Sequence, residues 1–156
     1  MISPELLRRF PFFGQLSEAD LKSIAMVCEE QEIKAGTVIL EECGVADTFY
    51  FLIDGSVDLT YKSEEEFYPK TRKEFDVGEI NPGEPFGISA LIEPYRLNAT
   101  ARAAKDCRLI AIDAVPLRSL MEEDCHLGYM LLKQISKATM ERLANTRILL
   151  AAAWAK

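Results

Sequence analysis

Between Asn81 and Ala103 the chain reads Asn-Pro-Gly-Glu-Pro-Phe-Gly-Ile-Ser-Ala-Leu-Ile-Glu-Pro-Tyr-Arg-Leu-Asn-Ala-Thr-Ala-Arg-Ala, and the chemistry this spacing suits is the capture of an anion by backbone N–H groups. Pro82, Gly83, Pro85 and Gly87 forbid a regular helix or central strand before Ser89. Ser89 to Ile92 has room for one helical turn before Pro94 stops it, and Ala99 to Ala103 then resumes a strand-like alternation. The first N–H groups of a helix have no internal partner, so a single turn held between two strands aims donors at one point. A long surface connection is the alternative reading of the same composition.

Other chemistry finds little support. The lone histidine, His126, adjoins Cys125 in the first turn of a helix, and adjacent helix residues point about 100° apart, which does not make a nucleophile and base. Enzymatic activity is therefore not expected. Glu29, Glu30 and Glu32, and likewise Glu122, Glu123 and Asp124, are acidic clusters with neither histidine nor a glycine-centred calcium loop, so they read as solvated faces. No zinc spacing is present among Cys28, Cys43, Cys107 and Cys125, and three of these thiols lie among apolar neighbours, where free cysteine behaves as a small hydrophobe. No metal and no resident cofactor are expected. The net charge of −7 points away from nucleic acid. The one basic cluster, Lys70 to Lys73, sits beside Glu64-Glu65-Glu66 and reads as a solvated hairpin tip. No apolar run is long enough to span a bilayer, and Met1 to Gln15, broken by Pro4 and Pro11, lacks the apolar stretch of a signal peptide. The expected location is a reducing cytoplasm, with no membrane contact.

The elements that must position the loop can be read from periodicity. At 156 residues, 49% apolar, the chain suits one domain with a core of its own. Residues 3 to 14 predict a short helix and an apolar turn. Ser17 followed by Asp20 approximates a capping box, and Leu16, Leu21, Ile24, Ala25 and Cys28 predict a second helix ending near Glu29. From Gln31 the period becomes twofold, with Ala35-Gly36 as a turn between the segments of Ile33 and of Val38 and Leu40. Phe49 to Lys62 reads as a strand pattern, Ile53, Val57, Leu59 and Tyr61 on one face and Asp54, Ser56, Asp58 and Thr60 on the other, with Asp54-Gly55 as a turn or bulge. Lys73 to Ile80 is a strand, and Ala99 to Ala104 and Cys107 to Asp113 predict a hairpin through Lys105-Asp106. Short strands at this spacing favour an antiparallel jelly roll or barrel. Beyond Asp113 the signal is helical. Pro116 lies in the first turn of a short helix, and Asp124 caps a helix of about thirty residues, or about 45 Å. Residues 1–113 thus hold N-terminal helices and the β unit, and 114–156 the C-terminal helices. Leu131 and Ile135 suit packing on the strands, while Met140, Leu143, Arg147, Leu150 and Trp154 form a 3,4 seam that predicts a homodimer.

This order of elements resembles the cyclic nucleotide-binding domain family over nearly the whole chain. Ala46-Asp47-Thr48-Phe49-Tyr50-Phe51-Leu52-Ile53-Asp54-Gly55 is similar to the family's small residue, Asp, apolar run and glycine turn. Pro82-Gly83-Glu84-Pro85-Phe86-Gly87, then Ala90-Leu91 and Ala99-Thr100, is similar to its phosphate-binding cassette. The resemblance implies a mainly β fold with flanking helices: a double-stranded β-helix, or jelly roll, of about eight strands with N-terminal helices and a long C-terminal helix. It also implies a regulatory or sensor function, with a cyclic nucleotide or another small anion as ligand.

Residue by residue, the implied ligand contacts are altered. The family's ribose-binding glutamate falls at Ile88, and its phosphate-binding arginine, two residues before the Ala-Thr pair, falls at Leu97. Arg96 is one residue away, and Arg102 alternates to the outer face of its strand. Phe86, Gly87, Ser89, Ala90, Asn98 and Ala99 complete the implied cassette, and Arg142 beside Leu143 falls where the long helix meets the base. Each lost bond to a charged group is worth about 1.5 to 3 kcal/mol, so a micromolar site would weaken to millimolar or worse. The leading expectation is a regulatory module, dimeric through its last helix, with altered ligand chemistry and a protein partner that reads the helix. The alternative is a ligand-independent dimerisation or interaction scaffold whose pocket Ile88 and Leu97 fill. Nothing follows the long helix that could enter a DNA groove, and both a stand-alone module and a piece of a longer protein remain open.

Overall fold

Ser3 and Ser17 each precede a short apolar-periodic stretch, and in the structure, a computed structural model describing residues 1–63 and 73–155, both cap helices. Ser3 Oγ accepts from the Glu5 N–H at 3.2 Å to open α1 (Pro4–Arg8), and Ser17 Oγ accepts from the Asp20 N–H at 3.1 Å to open α2 (Glu18–Met26). A 3-10 turn at Pro11–Phe13 between them carries Phe13 into the core. The second helix stops at Met26 rather than near Glu29. Cys28 instead opens strand β1 (Cys28–Ile33), because every residue from there to Ile33 pairs antiparallel along Cys107–Asp113, satisfying backbone groups that a further helical turn would leave unpaired on that strand.

The chain continues through β2 (Val38–Leu40), β3 (Thr48–Asp54), β4 (Val57–Ser63), β5 (Lys73–Ile80), β6 (Pro85–Phe86), a 3-10 turn at Ile88–Leu91, β7 (Thr100–Ala103) and β8 (Cys107–Asp113). Among the described residues these eight strands form two antiparallel sheets, ordered β1-β8-β3-β6 and β2-β7-β4-β5, in the jelly-roll arrangement. The tip expected between Glu64 and Lys73, with its Lys70–Lys73 cluster, falls outside the described residues apart from the first residue of β5.

Two strand pairings differ from the periodic reading. Residues 99–104 and 107–113 do not form a hairpin: β7 pairs with β2 and β4, while β8 pairs with β1 and β3, so the chain crosses between sheets at Lys105-Asp106. Likewise 49–62 is two strands in different sheets. Gly55, at φ +109°, makes the crossing; a Cβ there would lie 2.7 Å from both the Asp106 carbonyl oxygen and Cys107 Sγ. The switch also turns the faces. Ser56 is buried, donating to Glu79 Oε1 at 2.9 Å, and Tyr61 is nearly half exposed.

The first sheet is covered on both sides, which is why Phe49 to Ile53 and Leu109 to Ile112 read as apolar runs. Phe49, Phe51, Ile110 and Ile112 pack with the helices, and Phe10, Phe12 and Phe13 surround Phe51 at centroid distances of 4.8 to 5.6 Å. Leu52, Leu109 and Ala111 face the second sheet, against Val57, Ile80, Ala101 and Ala103. After β8, Asp113 caps α3 (Ala114–Glu123), which runs past the expected Met121, and Asp124 caps α4 (Cys125–Trp154) by accepting from the Leu127 N–H at 3.1 Å. That backbone bond holds the Asp124 carboxyl below its ordinary range. Leu131 and Ile135 are buried in the core, whereas Met140, Leu150 and Trp154 are exposed. Only Cys28 and Cys107 are buried; Cys43 and Cys125 are exposed, so two thiols rather than three behave as hydrophobes. No helix among the described residues is long and apolar enough to cross a membrane.

Candidate functional site

Gly87 is the pivot of the loop between Asn81 and Ala103. Pro85 and Phe86 add a two-residue strand to β3, pairing with Phe51 and Tyr50, and the Phe86 ring stacks on Tyr50 at 5.1 Å. Gly87 then turns at φ +67°, where a Cβ would meet Leu40 Cδ1 and the Thr48 carbonyl oxygen at 3.1 Å, so only glycine lets the backbone lie this close to β3. The helical turn that follows begins at Ile88, one residue earlier than expected, and the Ala90 N–H is used internally, donating to the Gly87 carbonyl at 3.1 Å. The Ala90 carbonyl accepts from Arg118 at 2.9 Å, and that guanidinium lies 3.9 Å over the Tyr95 ring, tying the loop to α3.

In front of this turn is a cavity of about 400 Å³, within the range of small-ligand sites. Phe86, Gly87, Ile88 and Ser89 form one side, and Leu97, Asn98 and Ala99 close it beyond the loop. The second sheet contributes Leu59, Tyr61, Val77 and Ala101. The remaining wall is α4, through Thr139, Arg142, Leu143 and Thr146. Ile88 and Leu97 both border this cavity, Leu97 as a buried core residue and Ile88 half-buried against the core. Leu143, assigned by spacing to the exposed seam, also faces this cavity.

Ala90 is fully buried and lies outside the lining. Arg96 is exposed and donates to the Cys43 carbonyl at 3.2 Å, away from the cavity wall. Arg102 is exposed on the outer face, as alternation indicated, donating to the Gly36 carbonyl at 3.2 Å. Among the described lining residues Arg142 alone carries a charge. It donates to the Pro85 carbonyl at 2.6 Å, joining the long helix to the loop, and burial lowers its pKa from the ordinary guanidinium value, with nearby Glu84 acting in the opposite sense. The Glu84 carboxylate itself accepts from the Asn81 N–H at 2.9 Å. Sequence reasoning missed the walls from the second sheet, which are distant in sequence. It also missed Thr139 and Thr146, although positions 139, 142, 143 and 146 share one helix face by spacing.

Comparison with known proteins places this geometry. The family model of the cyclic nucleotide-binding domain matches residues 30–124. The crystal structure of a candidate cyclic nucleotide-binding protein from Geobacter metallireducens GS-15 superposes with a TM-score of 0.78 at 36% identity, covering 92% of this chain and 99% of that one. A candidate potassium channel protein of Rhodopseudomonas palustris is 24% identical over 80% of this chain. The cGMP-dependent protein kinase, isozyme 1, of Drosophila melanogaster is 29% identical, also over 80% of this chain. The chain spans 28% and 16% of the lengths of these two curated relatives. With a family match across most of the jelly roll and a near-full-length structural relative, the chain belongs to the cyclic nucleotide-binding domain family, whose members are regulatory sensor modules.

Proposed function

We propose that this chain is a regulatory sensor whose ligand occupies the cavity before Gly87, whose contacts have departed from the usual cyclic nucleotide set, and whose output is the position of α4. One observation carries the reading: the cavity is shared between the loop and the helix, so whatever fills it touches both. Arg142 already bonds the two through the Pro85 carbonyl. A ligand that prefers one helix position shifts the population toward it by its differential affinity, with no other machinery required. The departure in chemistry is supported by Ile88 and Leu97 in the lining and by Arg96 and Arg102 bonded elsewhere. The open volume counts against a ligand-independent scaffold with a filled pocket.

The exposed apolar row on α4, with Met140 71% and Trp154 82% accessible, supports a homodimer in which a partner copy or another protein reads the helix. Titration calorimetry with cyclic AMP, cyclic GMP and cyclic dinucleotides tests the altered chemistry. The expected dissociation constants are millimolar or weaker. Tight binding of cyclic AMP that is abolished by changing Arg96 but not Arg102 would overturn it.

A further inference from the structure

Charge in the cavity is confined to one wall, although Tyr61, Ser89 and Asn98 add polar groups to the loop and sheet side and Leu143 an apolar one to the helix side. The loop and sheet side presents Leu40, Leu59, Val77, Phe86, Ile88 and Leu97, with no charged side chain. The helix side presents Arg142, with Thr139 three residues before it and Thr146 four residues after it on the same face. Both threonine hydroxyls donate to their own helix, Thr139 to the Ile135 carbonyl at 2.8 Å and Thr146 to the Arg142 carbonyl at 2.9 Å. The guanidinium is therefore the cationic donor in the cavity, and it has several N–H groups beyond the one that reaches Pro85. Among the described residues no carboxylate forms an ion pair with it. A half-buried cation whose neighbouring carboxylate, Glu84, acts on it without a direct ion pair keeps part of its desolvation cost, and an anion arriving at this point relieves it.

We propose that the cavity binds an amphipathic monocarboxylate, its carboxylate on Arg142 and its apolar body against Leu40, Phe86, Ile88 and Leu97. The inference rests on the sensor reading above and names its ligand class. One guanidinium matches one carboxylate in both geometry and charge. There is no second cation for a dianion and no carboxylate for sugar hydroxyls in the lining. The charged end of the ligand then lies toward α4 and the apolar end toward the loop, the reverse of what the cassette pattern implies. Because Arg142 also holds Pro85, the side chain that receives the ligand is the one that joins helix to loop.

The test titrates the full chain calorimetrically with octanoate, phenylacetate and indole-3-acetate, against 1-octanol and octylamine as neutral and cationic partners of octanoate, with cyclic AMP and cyclic GMP in parallel. At least one carboxylate is expected to bind. Octanoate is expected to bind at least tenfold more tightly than 1-octanol, with octylamine weaker still. Arg142→Leu should cost the bound carboxylate at least tenfold, Arg142→Lys should retain most of it, and Arg142→Glu should reverse the preference between octanoate and octylamine. Circular dichroism checks that the variants fold, and the comparison of octanoate with 1-octanol and octylamine on the native chain reports even if they do not. Equal binding of octanoate and 1-octanol, or carboxylate binding indifferent to Arg142, overturns the inference. Cyclic nucleotide binding without any carboxylate binding overturns it while leaving a ligand-binding sensor in place. Failure of every probe overturns the inference but not the sensor reading, which already expects weak cyclic nucleotide binding and stands on the shared cavity.

Discussion

Cys28 shows how one side chain carries both packing and pH dependence. Its thiol is buried where α2 gives way to β1, donates to the Ile24 carbonyl at 3.1 Å, and is pushed up from 9.0 to about 12 by that burial. A raised folded-state pKa means that the associated stability is complete below pH 9 and is lost as pH rises toward about 12, because the unfolded chain releases the proton first. Each pH unit in that window removes about 1.4 kcal/mol, an upper bound for a thiol with some solvent access. Thermal melts between pH 8 and pH 11 should therefore fall less steeply for Cys28→Ala than for the native chain; parallel slopes would contradict the assignment. Alkylation at pH 8 should modify Cys43 and Cys125 in the folded protein and reach Cys28 and Cys107 only on unfolding, and mass spectrometry distinguishes these outcomes.

At the scale of elements, the junction of α3 and α4 decides how the long helix meets the sandwich. Asp124 ends one helix and caps the next, and Gly128 lets them cross so closely that a Cβ there would lie 2.6 Å from the Met121 carbonyl oxygen. Backbone cannot move aside as a flexible side chain can, so Gly128→Ala should cost about 1 to 3 kcal/mol, lowering Tm by about 3 °C or more. An unchanged melting temperature would mean that the crossing is looser than described. These two helices were legible because caps and spacing are local signals: Asp113, Pro116 and Asp124 stand where the helix starts require them. Strand partners were not. Gly55 and Lys105-Asp106 look like hairpin turns in sequence, yet each carries the chain to the opposite sheet, and a period of two is the same in either sheet. The loop from Asn81 to Ala103 was legible as a device for the same reason as the caps, through its glycines and prolines. Its cavity was only half legible, since Leu59, Val77 and Ala101 reach it by pairing that no local pattern records.

For the whole molecule, the jelly roll and α4 together wall the cavity, and the last turns of that helix are left apolar and exposed. Removal of residues 147–156 keeps Arg142 but deletes Leu150 and Trp154. If the proposed dimer forms through α4, light scattering should show a dimer for the native chain and a monomer after truncation; a native monomer, or an unchanged dimer after truncation, would end the assignment of α4 as the contact. The family's jelly roll is present, and the proposed loss of its cyclic nucleotide contacts falls at Ile88 and Leu97. Returning both, as Ile88→Glu with Leu97→Arg, restores two charge-assisted contacts of about 1.5 to 3 kcal/mol each, and tenfold in affinity is about 1.4 kcal/mol. The most direct measurement is calorimetric titration of cyclic AMP into the native chain and this double variant side by side. Millimolar or weaker binding to the native chain and a gain of at least about a hundredfold in the variant are expected; micromolar binding by the native chain would contradict the altered ligand chemistry.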